Sequence, residues 1–171
     1  MIEKGTCMTT INLLAFHRTQ FVPVDRTLEI YFTGCNFACP DCQNFEIQTR
    51  TSLNTLFLSP ESLIEKLSDY KGVTKQVHIL GGEPLLQNHD ALISLFQLLK
   101  KNKFKNIILF TGFEISETEI NKKNPLFKYV DYVKTGLYDK TQLNISKEAD
   151  AQTGIVLAST NQKIIKVKQN G

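Results

Sequence analysis

The chain has 171 residues, 42% of them hydrophobic, and 20 basic against 17 acidic side chains for a net charge of +3. That length suits one domain, 1–171, with a sizeable core, and nine Gly and five Pro exclude a disordered or collagen-like chain. No apolar run approaches the ~20 residues that span a bilayer, no signal-peptide pattern opens the chain, and the basic surplus comes without a nucleic-acid-binding module. We therefore expect a soluble, cytoplasmic protein with no membrane and no nucleic-acid partner.

In chain order, residues 27–33 (TLEIYFT) alternate, with Leu28, Ile30 and Phe32 on one face and Glu29, Tyr31 and Thr33 on the other. This is a strand that runs into Gly34-Cys35. Residues 59–70 read as a helix with Ser59 as N-cap, Pro60 at the first helical position, and Leu63, Ile64, Leu67 and Tyr70 on one face; Gly72 ends it. Residues 76–80 (QVHIL) form a second strand leading directly into Gly81-Gly82-Glu83-Pro84, with His78 expected to pack as a satisfied core histidine. Leu92, Leu95, Phe96 and Leu99 mark the apolar stripe of a helix over 89–101. Residues 106–111 (NIILFT) are a third strand closed by Gly112, and Ser116 with Glu119 fits a capping box. Residues 129–135 (YVDYVKT) are a fourth strand ending at Gly136, and 155–157 and 163–167 are weaker strand candidates. The lysines at 100, 101, 103 and 105, at 122 and 123, and at 163, 166 and 168 are expected on solvated faces.

Strands alternating with helices imply βαβ units and a parallel sheet. The chain is too short for a closed eight-fold barrel of about 250 residues. The expected architecture is α/β, an open partial (βα) barrel. Sites in such folds lie at the carboxyl ends of the strands. The cysteines, the GGEP turn, Thr111 and the turn after Lys134 should therefore share one rim.

Four cysteines are used unevenly. Cys7 stands alone and reads as a bystander, whereas Cys35, Cys39 and Cys42 fall within eight residues with the spacing CxxxCxxC. The arrangement does not suit a disulfide framework. Three thiolates from one loop can hold three irons of a [4Fe-4S] cube and leave the fourth iron open. The bland reading is a structural zinc with Cys7, His17, His78 or His89 as fourth ligand.

The CxxxCxxC loop after a first strand, followed by a strand ending in GGEP, resembles the radical S-adenosylmethionine superfamily. Within it, the chain is similar to the activating subunit of anaerobic (class III) ribonucleotide reductase. The matches are GCNFACPDCQN at 34–44, LGGEPLL at 80–86, FTGFE at 110–114, VDYVKTGLYD at 130–139 and STNQKI at 159–164. Three positions depart from the common pattern. A GPG-type turn before the first strand is replaced by residues 21–26 (FVPVDR), a GGDP turn by GGEP, and a frequent aromatic before the third cysteine by Asp41.

The resemblance implies a [4Fe-4S] cluster on Cys35, Cys39 and Cys42, its open iron chelated by the amino and carboxylate groups of S-adenosylmethionine. By the same resemblance Gly81, Gly82 and Glu83 hold the methionyl end, with Gly82 permitting close backbone approach and Glu83 facing the ammonium. Asp41 and Gln43 lie beside the adenine. Thr111 meets the ribose or methionyl part or simply caps its strand, and Lys134 reaches a carboxylate of the cofactor, the partner, or solvent. Asn161 and Gln162 match a family motif whose physical role the residues alone do not reveal.

The implied activity is reductive cleavage of S-adenosylmethionine and hydrogen abstraction from a glycine. The implied partners are a flavodoxin- or ferredoxin-type reductant and the catalytic reductase subunit, whose glycine loop enters the open rim. Two other readings stand beside it. One is a radical enzyme acting on another glycyl-radical enzyme or on a small molecule, such as a carboxy-deazaguanine synthase. The other is a non-enzymatic zinc- or cluster-binding interaction module.

Overall fold

The computed structural model describes residues 12–121 and 124–168; Cys7, Lys122 and Lys123 lie outside them. Seven strands form one sheet: β1 (Leu14–Val22), β2 (Thr27–Phe32), β3 (Leu56–Leu58), β4 (Gln76–Gly81), β5 (Ile107–Phe110), β6 (Tyr132–Thr135) and β7 (Lys163–Lys166). Their order is β3-β1-β2-β4-β5-β6-β7, so the sheet is open, with β3 and β7 at its ends. Among the described residues three α-helices accompany them: α1 (Pro60–Lys66), α2 (His89–Lys101) and α3 (Glu117–Asn121).

The expected parallel sheet is its centre, where β2, β4, β5 and β6 run parallel. The flanking strands β1, β3 and β7 pair antiparallel around that parallel centre. The result is an α/β open partial barrel. Ile30, Ile79, Leu109 and Val133 stand in one register row across the four central strands. With period-2 alternation they share a face, and they are fully buried in the main core with Leu63, Leu67, Leu92, Leu95, Phe96 and Leu99. α1 packs on α2 over that face.

Local signals explain where the helices begin. The Ser59 hydroxyl accepts from Ser62 N at 3.2 Å, and the Asn88 side chain accepts from Ala91 N at 3.0 Å. Ser116 and Glu119 form the expected reciprocal capping box, Glu119 N donating to Ser116 Oγ at 3.2 Å and Ser116 N to Glu119 Oε2 at 2.9 Å. α1 is shorter than expected and passes at Ser68–Tyr70 into a 3₁₀ turn.

Three sequence expectations change. Residues 155–157 make only an isolated bridge, Ala149 with Val156. Lys100 is only partly solvated: its ammonium lies 2.7 Å from Asp131 Oδ1, and Asp131 also accepts from Ile107 N at 2.7 Å. This ties the end of α2 to the starts of β5 and β6. His78 lies on the face opposite the helices, in a row with Glu29, Ile108 and Tyr132. It is 8% exposed, its ring is 4.9 Å from Phe110, and its Nε2 is buried without a partner. It is therefore not a satisfied core histidine, and burial holds its pKa down to about 4.

Two strands escaped the sequence reading. In β1 the register shifts between Phe16 and Arg18, and Leu14, Ala15 and Phe16 are buried in succession, so no clean alternation is left to read. β3 has only three residues, all apolar. Among the described residues no helix is long and apolar enough to cross a membrane.

Candidate functional site

Because β2, β4, β5 and β6 are parallel, their carboxyl ends deliver Gly34-Cys35, Gly81-Gly82-Glu83, Thr111-Gly112 and Gly136 to one rim. The cysteine loop leaves β2 and closes back on itself. Gly34 N donates to Ile47 O at 2.9 Å and Cys35 N to Gln48 O at 2.7 Å. Ile47, fully buried, anchors the returning segment. Cys35, Cys39 and Cys42 are free and half-buried on this loop. Cys35 Sγ accepts from Phe37 N at 3.4 Å. Asp41 has φ +58°, a left-handed conformation that Asp tolerates better than most residues, and it turns the chain just before Cys42. Asp41 and Gln43 are exposed on either side of that cysteine.

The GGEP turn is fastened to the root of this loop. Gly82 N donates to Phe32 O at 2.8 Å and Glu83 N to Gly34 O at 2.7 Å. A Cβ on Gly82 would stand 2.3 Å from Gly34 O, so the close approach this glycine permits is to the backbone beneath the cysteines. Glu83 is 1% exposed. Its carboxylate accepts from Leu85 N at 3.0 Å, Thr111 Oγ1 at 2.9 Å and Gly112 N at 2.8 Å. One side chain thus joins the ends of β4 and β5, while its own amide joins β2. Thr111 is buried, caps its strand in this way, and accepts from Phe113 N at 3.1 Å.

Charge at the rim is balanced by short-range partners. Burial pushes the Glu83 carboxyl up, opposed by the three donors and by Lys134. Burial lowers the Lys134 pKa to about 8, opposed by Cys39 and Glu83. Burial also raises the Cys35 and Cys39 thiols, and the Tyr138 amide and Lys134 pull Cys39 back.

The structure thus brings Cys35, Cys39, Gly81, Gly82, Glu83, Thr111 and Lys134 to one rim, with Asp41, Cys42 and Gln43 on its loop. Among the described residues no three His, Cys, Asp or Glu side chains converge on a single metal ion. A cube instead takes one thiolate on each of three irons, and three half-exposed thiols on one closed loop beside a half-buried ammonium form a donor set of that kind.

Gln87 carried no signal in the sequence. It is buried, accepts from Ala15 N at 2.9 Å and donates to Thr33 O at 2.8 Å, bridging β1 and β2 where the cysteine loop departs. Its partners lie 72 and 54 residues away, so no local pattern reveals it.

With the site described, comparison adds three findings. Residues 26–165 match the model of the family described as 4Fe-4S single cluster domain, and the chain belongs to that family. No curated protein matches the chain. Among solved structures the chain is similar to a crystal structure of QueE from Escherichia coli, at 19% identity and a TM-score of 0.46. That match covers 58% of this chain and 52% of the other, about half its length.

Proposed function

We propose that this member of the 4Fe-4S single cluster domain family is a radical S-adenosylmethionine enzyme: the activase that installs a glycyl radical on the catalytic subunit of anaerobic ribonucleotide reductase. The observation that carries the reading is the junction of the cysteine loop with the glycine turn, where Glu83 N donates to Gly34 O at 2.7 Å. It seats a three-thiol loop and a buried carboxylate at the carboxyl ends of parallel strands. The segments VDYVKTGLYD and STNQKI, which resemble those of the activases, support the choice of partner.

In this reading Cys35, Cys39 and Cys42 hold three irons of the cluster, and the fourth corner is left to the methionyl amino and carboxylate groups of S-adenosylmethionine. Such a cluster, with a flavodoxin- or ferredoxin-type one-electron donor, would supply the reductive cleavage chemistry of S-adenosylmethionine needed to make a glycyl radical on the partner. The chain's own residues bind and orient. Glu83 acts on the methionyl ammonium through its charge while its oxygens hold the turn. Lys134, its pKa lowered by burial to about 8, carries charge that offsets Cys39 and Glu83 beside it. Asp41 and Gln43 flank the adenine side.

The test is anaerobic reconstitution, low-temperature EPR with and without S-adenosylmethionine, and a 5′-deoxyadenosine assay in the same samples. The expected result is a [4Fe-4S]⁺ signal that changes with S-adenosylmethionine, is lost in Cys39→Ala, and is accompanied by product that rises when the reductase subunit is added. Stoichiometric zinc with no cleavage overturns the enzyme reading. Rapid turnover on a small molecule alone overturns the activase.

A further inference from the structure

Phe37 stands between the first two cysteines of the loop, and its ring rests on the far side of the rim. A Cβ on Gly112 would lie 2.7 Å from the Phe37 ring and 3.2 Å from Leu137 Cδ1. The ring therefore fills space that only a glycine leaves open. Phe37 also packs edge-on against Phe113, with ring centroids 4.9 Å apart. Its neighbours Asn36 and Ala38 are exposed, so Phe37 is the inward-facing residue of that stretch.

The seat under this ring is held by its own hydrogen bonds. Gly112 N donates to Glu83 Oε2 at 2.8 Å and Phe113 N to Thr111 Oγ1 at 3.1 Å. Gly136 N donates to Phe113 O at 3.1 Å. Asn161 Nδ2 and Gln162 Nε2 donate to Leu137 O and Gly136 O at 2.9 and 3.1 Å. The loop after β5 and the turn after β6 thus meet beneath Phe37. The backbone of the same residue reaches a thiol directly: Phe37 N donates to Cys35 Sγ at 3.4 Å. One residue therefore carries both a ring wedged across the rim and an amide aimed at a cysteine sulfur.

We infer that Phe37 is a positioning residue: its ring, seated on Gly112, holds the Phe37 amide on Cys35 Sγ and so raises the reduction potential of a cluster carried on that sulfur. The inference rests on the cluster reading above. An N–H dipole aimed at a ligand sulfur stabilises the more negative, reduced form. No bond is made or broken in the step; one electron passes to the cluster from a low-potential one-electron reductant. Once the ring leaves its seat the amide turns away, and that electron becomes harder to accept.

The experiment is a potentiometric EPR titration of the reconstituted full chain as wild type, Phe37→Ala, Gly112→Ala and the double variant. Phe45→Leu is the control, since Phe45 belongs to the segment that follows the same loop and is 73% exposed. At a fixed poise Phe37→Ala should carry about tenfold less reduced cluster, a shift of about 59 mV for a one-electron couple. Gly112→Ala should shift the potential the same way, because its methyl displaces the ring. The two effects should not add, since the double variant has no ring left to displace. Phe37→Tyr keeps the ring and should return close to the wild-type potential. Full cluster content with an unshifted potential, or shifts that simply add, overturns the inference and leaves the cluster reading intact.

Hydrogen exchange on the apo-protein reads the seat without the cluster, and it decides for any variant that takes up no iron. The amide of residue 37 should exchange faster in Phe37→Ala and Gly112→Ala, relative to its intrinsic rate. The amides of Gly34 and Cys35, bonded to Ile47 O and Gln48 O at the root of the loop, should keep their protection. Unchanged exchange at residue 37, or an equal loss at all three amides, overturns the inference. A wild type that assembles no cluster overturns both this inference and the cluster reading.

Discussion

The two sides of the rim are built on opposite plans. On the β4–β5 side, Glu83 and Thr111 are buried and every oxygen of the Glu83 carboxylate meets a donor from another part of the chain. On the other side, the cysteine loop leaves its three thiols half-exposed, and the segment that follows exposes Phe45 at 73% and Leu53 at 86%. The two meet through backbone hydrogen bonds at Gly34 and Phe32. The comparison teaches a division of labour: a satisfied polar frame supplies rigidity, and the reactive groups hang from it where a cofactor and a partner can reach them. Buried polar groups are costly unless paired, so the frame tolerates little change, whereas half-exposed thiols contribute little to folding.

Glu83→Ala should break the frame most severely. It strands the Thr111 hydroxyl and the Leu85 and Gly112 amides, and we expect a loss of about 4 kcal/mol, read as a lowered midpoint in urea unfolding. A change below about 1 kcal/mol would show that the carboxylate is not the staple described here.

His78 tests the frame through pH. Its folded pKa, about 4, lies below the unfolded 6.5, so the unfolded chain binds the extra proton first. Its contribution is present above pH 6.5 and is lost as pH falls through the folded value. Across that window the apo-protein should lose about 3 kcal/mol from this group. In His78→Leu the fall between pH 6.5 and 4.5 should be visibly smaller, and equal slopes in the two proteins would refute the assignment.

Gly82→Ala sharpens the junction itself. With a Cβ placed 2.3 Å from Gly34 O, the turn must shift, at a cost of about 2 kcal/mol. Iron uptake should fall with it, since the displaced backbone is the root of the cysteine loop. Normal iron binding in a folded Gly82→Ala would separate the turn from the loop.

Cys39→Ala should give the smallest effect on folding, within about 0.5 kcal/mol, because the thiol is half-exposed and unbonded to other side chains. The same substitution should abolish the cluster EPR signal. Large destabilisation of the apo-protein would mean that the loop belongs to the frame after all.

How much of this was legible beforehand follows from the range of the interactions. Alternation in residues 27–33 revealed the first central strand because it buries one face against helices. The caps at Ser59 and Ser116 were legible because they close within three residues. β1 was hidden by its register shift and β3 by its length. The role of Glu83 was hidden too, since its partners Thr111 and Gly112 lie 28 and 29 residues on. His78 read as a core residue because nothing local says which face of β4 the helices cover.

By itself the amino-acid sequence determined the α/β class, the three-thiol loop and its place after the first parallel strand. Those depend on periodicity and spacing along a few neighbouring residues. Only the tertiary structure decided the antiparallel flanks of the sheet, that Glu83 is bound to its neighbours, that Gly82 clears backbone, and that Asn161 and Gln162 bind the backbone carbonyls of Leu137 and Gly136. Each of these is a contact between groups far apart in the chain, and its energy exists only once packing has brought them within a few ångströms of one another.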